Sequence, residues 1–193
     1  GGGGAIGGGG DAHGVLLAAP ASLAGGERVF LSEGQFNIGG TIVIPDGKGI
    51  IGAGKSKTTI KLQDAGSRAL TSDWWRTNPT TQAIMVTEFT DNATRTAYQS
   101  KDMEMRGFTI VGNTDVVLPG SACLIGLFVT SCADTVVSDV DVNDINWFTP
   151  AAVDPTQGLG IITRYCNNVD VIRCNPKRAQ YECLGMFDNS NNT

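Results

Sequence analysis

The chain has 193 residues, 41% hydrophobic and only 17% charged, enough to build one domain with a real core and unlike a disordered tail. Its net charge of −5 argues against a surface that grips a phosphate backbone, so no nucleic-acid partner is expected. No apolar run is long enough to cross a membrane as a helix, so no membrane insertion is expected either.

Residues 1–10, GGGGAIGGGG, read as a glycine-rich linker. Residues 11–26 read as a short N-terminal helix, with Asp11 as its N-cap, Val15, Leu16 and Ala19 as its apolar side, and Gly25 as its stop. After Gly26 the pattern changes. RVFL, QFNI, TIVI, GII and TTIKL are runs rich in β-branched or aromatic residues, separated by the turn signals SEG, GG, PDGKG and GAGKSK. QAIMVTEF, DMEMRGFTIVGN, CLIGLFVTS, DTVVSDVDVNDI, GLGIITRY, NVDVIRC and YECLGMF continue in the same rhythm. Residues 27–193 are thus expected to be all-β, in strands of about four to seven residues.

GIIGAGKS, Gly49–Ser56, matches the phosphate-loop pattern G-x-x-x-x-G-K-[ST]. Such a loop needs a helix directly after it, whose N-terminus binds the phosphates. Here KTTIKL follows, and Thr58, Thr59 and Ile60 are stiff strand formers. The glycines are read as a turn between strands, and no nucleotide site is assigned.

The five cysteines, Cys123, Cys132, Cys166, Cys174 and Cys183, form no C-x-x-C pair, so they are read as buried free thiols, and no metal or cofactor site is assigned. The only histidine is His13, which argues against catalysis by a histidine-dependent triad.

A period is present. GLFVTSCAD (Gly126 to Asp134) aligns without gaps on GIITRYCNN (Gly160 to Asn168), at the constant offset that carries Gly126 to Gly160 and Cys132 to Cys166. A coil of strands and turns that cannot bury its own apolar face does so by stacking on its neighbours, which is the logic of a solenoid. Alternation agrees: Met103 and Met105 oppose Asp102, Glu104 and Arg106, and Val140 and Val142 oppose Asp139, Asp141 and Asn143. Val169 and Val171 are expected to point inward with them.

The stretch from Asp11 to Leu62 resembles the opening of the right-handed parallel β-helix found in pectate-lyase-like and phage tailspike proteins. The matching pieces are Asp11, Ala18-Ala19, Gly25-Gly26, FLSEGQFNI, TIVIP, IIGAG and TTIKL; Ser32-Glu33 stand where that family commonly has a proline. The resemblance implies a right-handed parallel β-helix over 27–193, with room to continue in a longer protein, capped at its first coil by the helix of 11–26. It implies as function a virion surface protein of tailspike or tail-fibre type, extracellular, homotrimeric, in contact with other virion proteins and with a host polysaccharide. A polysaccharide lyase or glycoside hydrolase, and a capsid cement protein, stay open beside it. The absence of a distinctive catalytic cluster favours assembly over catalysis.

Asp139 and Asp141 are the candidates for a catalytic carboxylate pair, about 7 Å apart if they share one face of a straight strand. Trp74, Trp75, Trp147 and Phe148, in loops or just after a strand, are the candidates for stacking on a glycan or a partner.

Overall fold

The computed structural model describes residues 16, 24, 26–63, 72–73, 81–88, 100–112, 124–145 and 158–187. The linker and nearly all of the segment assigned to a capping helix lie outside them. Of residues 11–26 only Leu16, Ala24 and Gly26 are described; Leu16 is helical and fully buried in the main core.

Among the described residues, fifteen strands wind through five coils. The first coil holds β1 (Arg28–Leu31), β2 (Gly34–Ile38) and β3 (Ile42–Ile44). The second holds β4 (Gly49–Gly52), β5 (Thr58–Leu62), β6 (Ser72–Asp73) and β7 (Thr81–Thr87). The third holds β8 (Ser100–Lys101), β9 (Glu104–Val111) and β10 (Leu124–Thr130). The fourth holds β11 (Cys132–Ile145) and β12 (Gly158–Arg164). The last holds β13 (Asn167–Ile172), β14 (Asn175–Ala179) and β15 (Glu182–Phe187). Every pairing from coil to coil is parallel; the antiparallel pair β6–β7 lies within one coil. This is the expected parallel β-helix.

Its interior is three columns of stacked side chains. Val29, Ile50, Met105, Val137 and Val171 stack on the first side. Phe36, Ile60, Ile110, Val142 and Pro176 stack on the second. Ile42, Met85, Leu127, Ile161 and Leu184 stack on the third. No single coil could close such a core, because each inward residue finds its partner one rung above or below, about 4.8 Å away. Val140, Val142 and Val169 are fully buried, as the alternation predicts, whereas Val171 is only partly so. The last coil explains this. It has no rung above it among the described residues, so the inward-column residue Leu184 is 45% exposed, as is Met186 of the same strand.

The sequence offset of 34 is the register of the third coil on the fourth, where Leu124 faces Gly158, and of the fourth on the fifth, where Ala133 faces Asn167, Asp141 faces Asn175, and Cys132 meets Cys166. Gly126 and Gly160 occupy a shared break in the side-chain alternation of the third side. Ile125 and Phe128 belong to an outer apolar cluster, while Leu124 and Leu127 belong to the main core. A Cβ on Gly126 would lie 2.3 Å from Val142 Cγ1, and one on Gly160 would lie 2.2 Å from Cys183 O. Glycine is used there because the wall passes too close for any side chain.

One expectation needs correction, and two further features go unannounced by the sequence. The strands are not all four to seven residues long: β9 has eight and β11 has fourteen, because they run through corners without losing their ladder bonds. β14, NPKRA, is not announced by the sequence; its proline and charges hide a strand that is largely exposed on both faces. The third side is not one dry face and one wet. Val86, Phe128 and Ile162 stack outward and are 0–4% exposed, so β7, β10 and β12 read as almost unbroken apolar runs.

Candidate functional site

The corners carry the chemistry. Nine described non-glycine residues have positive φ, and they fall in columns. Asp102, Asp134 and Asn168 form one; Gly107, Asp139 and Arg173 form another; Asp144 and Arg178, and Ser131 and Tyr165, form two more. A left-handed residue turns the chain by one corner while its neighbours stay extended, and Asp and Asn tolerate that region best. Each column places like corners of successive coils one rung apart, so their side chains meet. Arg173 Nε and Nη2 each donate to Asp139 at 2.7 Å. Arg178 likewise forks onto Asp144, and Asn168 Nδ2 donates to Asp134 at 2.6 Å.

Asp139 and Asp141 therefore do not share one straight strand. The chain turns at Asp139, where φ is 53°, so the separation expected from strand rise does not apply. The structure instead draws both into a charged cluster. Lys55 Nζ donates to Asp141 Oδ1 at 3.1 Å and to the Arg173 carbonyl at 3.3 Å. The Arg173 guanidinium beside Asp139 holds its carboxyl below the usual range, with smaller help from Lys55 and Arg106, and Arg173 is raised in return. Nearby on the first side, Glu104 is bridged by Arg28 at 3.4 Å and by Arg106 at 3.3 Å.

The phosphate-loop lookalike is the corner between β4 and β5, and a strand follows it instead of a helix. Several amides of this corner are bonded within the chain: Gly54 N donates to Gly107 O, Lys57 N and Thr58 N to Gly54 O, and Ala53 N to Thr58 Oγ1, all at 2.9 Å. Its lysine is the cation of the cluster just described.

Beside that cluster, the second side of the helix turns two polar columns outward. One is Gln35, Thr59, Thr109, Asp141 and Asn175; the other is Asn37, Lys61, Val111, Asn143 and Lys177. Lys61 and Lys177 make no ion pair with a described residue. Asn143 Oδ1 is buried and accepts no hydrogen bond from a described residue, a cost of about 1–3 kcal/mol for such an atom. Trp74, Trp75, Trp147 and Phe148 lie outside the described residues.

Lys61, Arg173, Arg178 and Lys177 are not singled out by the sequence, and Lys55 is marked there only as the lysine of the phosphate-loop lookalike. A signal is present for two of them. Asp134, Asp139 and Asp144 are evenly spaced, and each is followed at an offset of 34 by Asn168, Arg173 and Arg178 in turn. Lys55 meets Asp141 across 86 residues, with no local pattern to announce it.

The molecule is thus defined as a parallel β-helix whose coils are locked at their corners by acid–base pairs and which turns a ladder of amides and lysines outward. No known protein family and no curated protein matches the chain. Among solved structures it is similar to the Azotobacter vinelandii mannuronan C-5 epimerase AlgE4 A-module, with 17% identity and a TM-score of 0.55, over 92% of this chain and 44% of that one. It is similar also to the AlgE6 A-module from the same organism, with 16% identity and a TM-score of 0.54, over 90% of this chain and 43% of that one. At such identities the likeness is one of fold, and the chain spans less than half the length of either module.

Proposed function

We propose that this β-helix is a binding and assembly module that presents its second side to a carboxylate-bearing polysaccharide, as part of a trimeric spike or fibre on a virion surface. The observation that carries the reading is the pair of outward columns. A linear polymer lying along the solenoid axis would meet Asn37, Lys61, Asn143 and Lys177 on one line, interrupted at one rung by Val111, and Gln35, Thr59 and Asn175 on the other, where the buried Thr109 is bonded to the Lys55 carbonyl and Asp141 is paired with Lys55. Amides and hydroxyls suit sugar hydroxyls, and Lys61 and Lys177 supply positive charge for acidic groups. The fold likeness to mannuronan C-5 epimerase modules supports a polysaccharide as the partner. Trp74, Trp75, Trp147 and Phe148 are the aromatic candidates for the same contact.

The test is titration calorimetry with acidic and neutral polysaccharides, beside a solution mass. Binding of the acidic polymer, weakened about tenfold or more in a Lys61→Gln, Lys177→Gln double variant, is the expected result. No binding, or binding that the double variant leaves unchanged, overturns it. A monomeric mass overturns the trimer.

A second reading, a polysaccharide-cleaving or -modifying enzyme, is favoured by the convergence of Asp139, Asp141, Lys55 and Arg173. Turnover of the bound polymer that disappears in Asp141→Asn would establish it.

A further inference from the structure

Cys132 and Cys166 stand one above the other on the fourth and fifth coils, one opening β11 and the other directly preceding β13. Their Sγ atoms are 3.5 Å apart, and the residues are 0% and 1% exposed. Neighbouring parallel strands lie about 4.8 Å apart, inside the Cα separation of about 4.4–6.8 Å that a disulfide spans. The gap between the sulfurs can therefore close by rotation of the two side chains, without moving a strand. Cys166 Sγ also lies 3.3 Å from the Val129 carbonyl and 3.2 Å from the Arg164 carbonyl; Cys174 Sγ is directed at the carbonyls of Val137 and Ile172.

We propose that Cys132 and Cys166 form a dithiol latch, which a small-molecule disulfide of the glutathione class oxidises to an intramolecular disulfide stapling the fifth coil to the fourth. The Cys166 thiolate attacks one sulfur of the small disulfide, whose S–S bond breaks and releases a small thiolate that takes up a proton. The Cys132 thiolate then attacks the Cys166 sulfur of the mixed disulfide, and the second small thiolate leaves and is protonated. Two protein thiols are oxidised, and one small disulfide is reduced to two thiols.

The order of attack follows from the pair itself. The hydrogen bond between the thiols holds Cys166 below its ordinary value; the same bond, and then burial, push Cys132 up. Access follows from the coil's position. The fifth coil exposes Leu184 and Met186, so its local opening uncovers less new apolar surface and admits the oxidant. Once closed, the bridge encloses the 34-residue loop of one coil and ties the fifth coil to the fourth.

The protein is incubated with oxidised glutathione, alkylated, digested and mapped by mass spectrometry, and its melting temperature is measured before and after. A linked peptide joining Cys132 to Cys166, with a higher melting temperature that dithiothreitol reverses and that is missing from Cys132→Ala, is expected. A pair that stays reduced while Cys174 and Cys183 are glutathionylated overturns the proposal. So does a bridge between other cysteines, or a Cys132–Cys166 bridge that leaves the melting temperature unchanged or lowers it. If Cys132→Ala does not fold, the peptide map and the reversal by dithiothreitol on the parent protein decide alone.

Discussion

The guanidinium of Arg173 closes a two-pronged hydrogen bond on the carboxylate of Asp139, 34 residues earlier and one rung below, and both residues sit in the left-handed region. Corner geometry and charge pairing are therefore one device. The turn that bends each coil also aims its side chain at the same turn of the next, so the solenoid period is written in ion pairs along its edge as well as in apolar columns inside it.

That pair makes stability depend on acid. Asp139 has a folded pKa depressed by Arg173, so its contribution is present above the unfolded value of about 3.9 and is lost as pH falls through the lower folded value. The melting temperature should fall as pH drops below about 4, and Arg173→Ala should flatten part of that fall. Since the pair is solvent-exposed, high salt should shrink the difference between variant and parent near neutral pH. A variant whose melting temperature follows the parent's at every pH would show that the pair contributes nothing.

Gly160→Ala should destabilise the protein by about 1–3 kcal/mol, because the new methyl would meet the backbone carbonyl of Cys183, which cannot rotate aside. Denaturant unfolding of variant and parent measures it. An unchanged midpoint would mean that β12 and β15 are not packed in this register.

Val140→Asp places a carboxylate in the closed interior and should cost several kcal/mol, whereas Asp141→Asn removes one partly exposed ion pair with Lys55 and should cost about 1 kcal/mol or less. Circular-dichroism melts compare the two. Equal effects would contradict the inward and outward assignment of this strand.

Along the third column, Ile161→Ala should cost about 2–4 kcal/mol, and Leu184→Ala less than about 1 kcal/mol, since Ile161 is fully buried and Leu184 is 45% exposed. If Leu184 proves as costly as Ile161 in urea titration, a further layer covers the last coil in solution.

Much of this architecture was legible in the chain. β-branched runs with turn residues between them announce strands, since few other residues fit a pleated surface so well. The shared offset of Gly126–Gly160 and Cys132–Cys166 announces stacking, since like residues return to like places only when one coil repeats the last. Alternation assigned Met103, Met105, Val140 and Val142 to the interior, because side chains on a strand alternate by geometry alone. Three matters were decided only in three dimensions. β14 forms because Asp141, Asn143 and their neighbours offer it a ladder, against its own weak propensity. Asp139 and Asp141 do not lie along one straight strand because a left-handed corner falls on Asp139, and no local rule says which residue of a long strand will turn. Lys55 joins them from 86 residues away because the number of residues in each coil, summed over the intervening turns, brings its corner beside theirs. Local pattern sets which way a side chain faces; what it faces depends on register between coils, and register is a property of the packed whole.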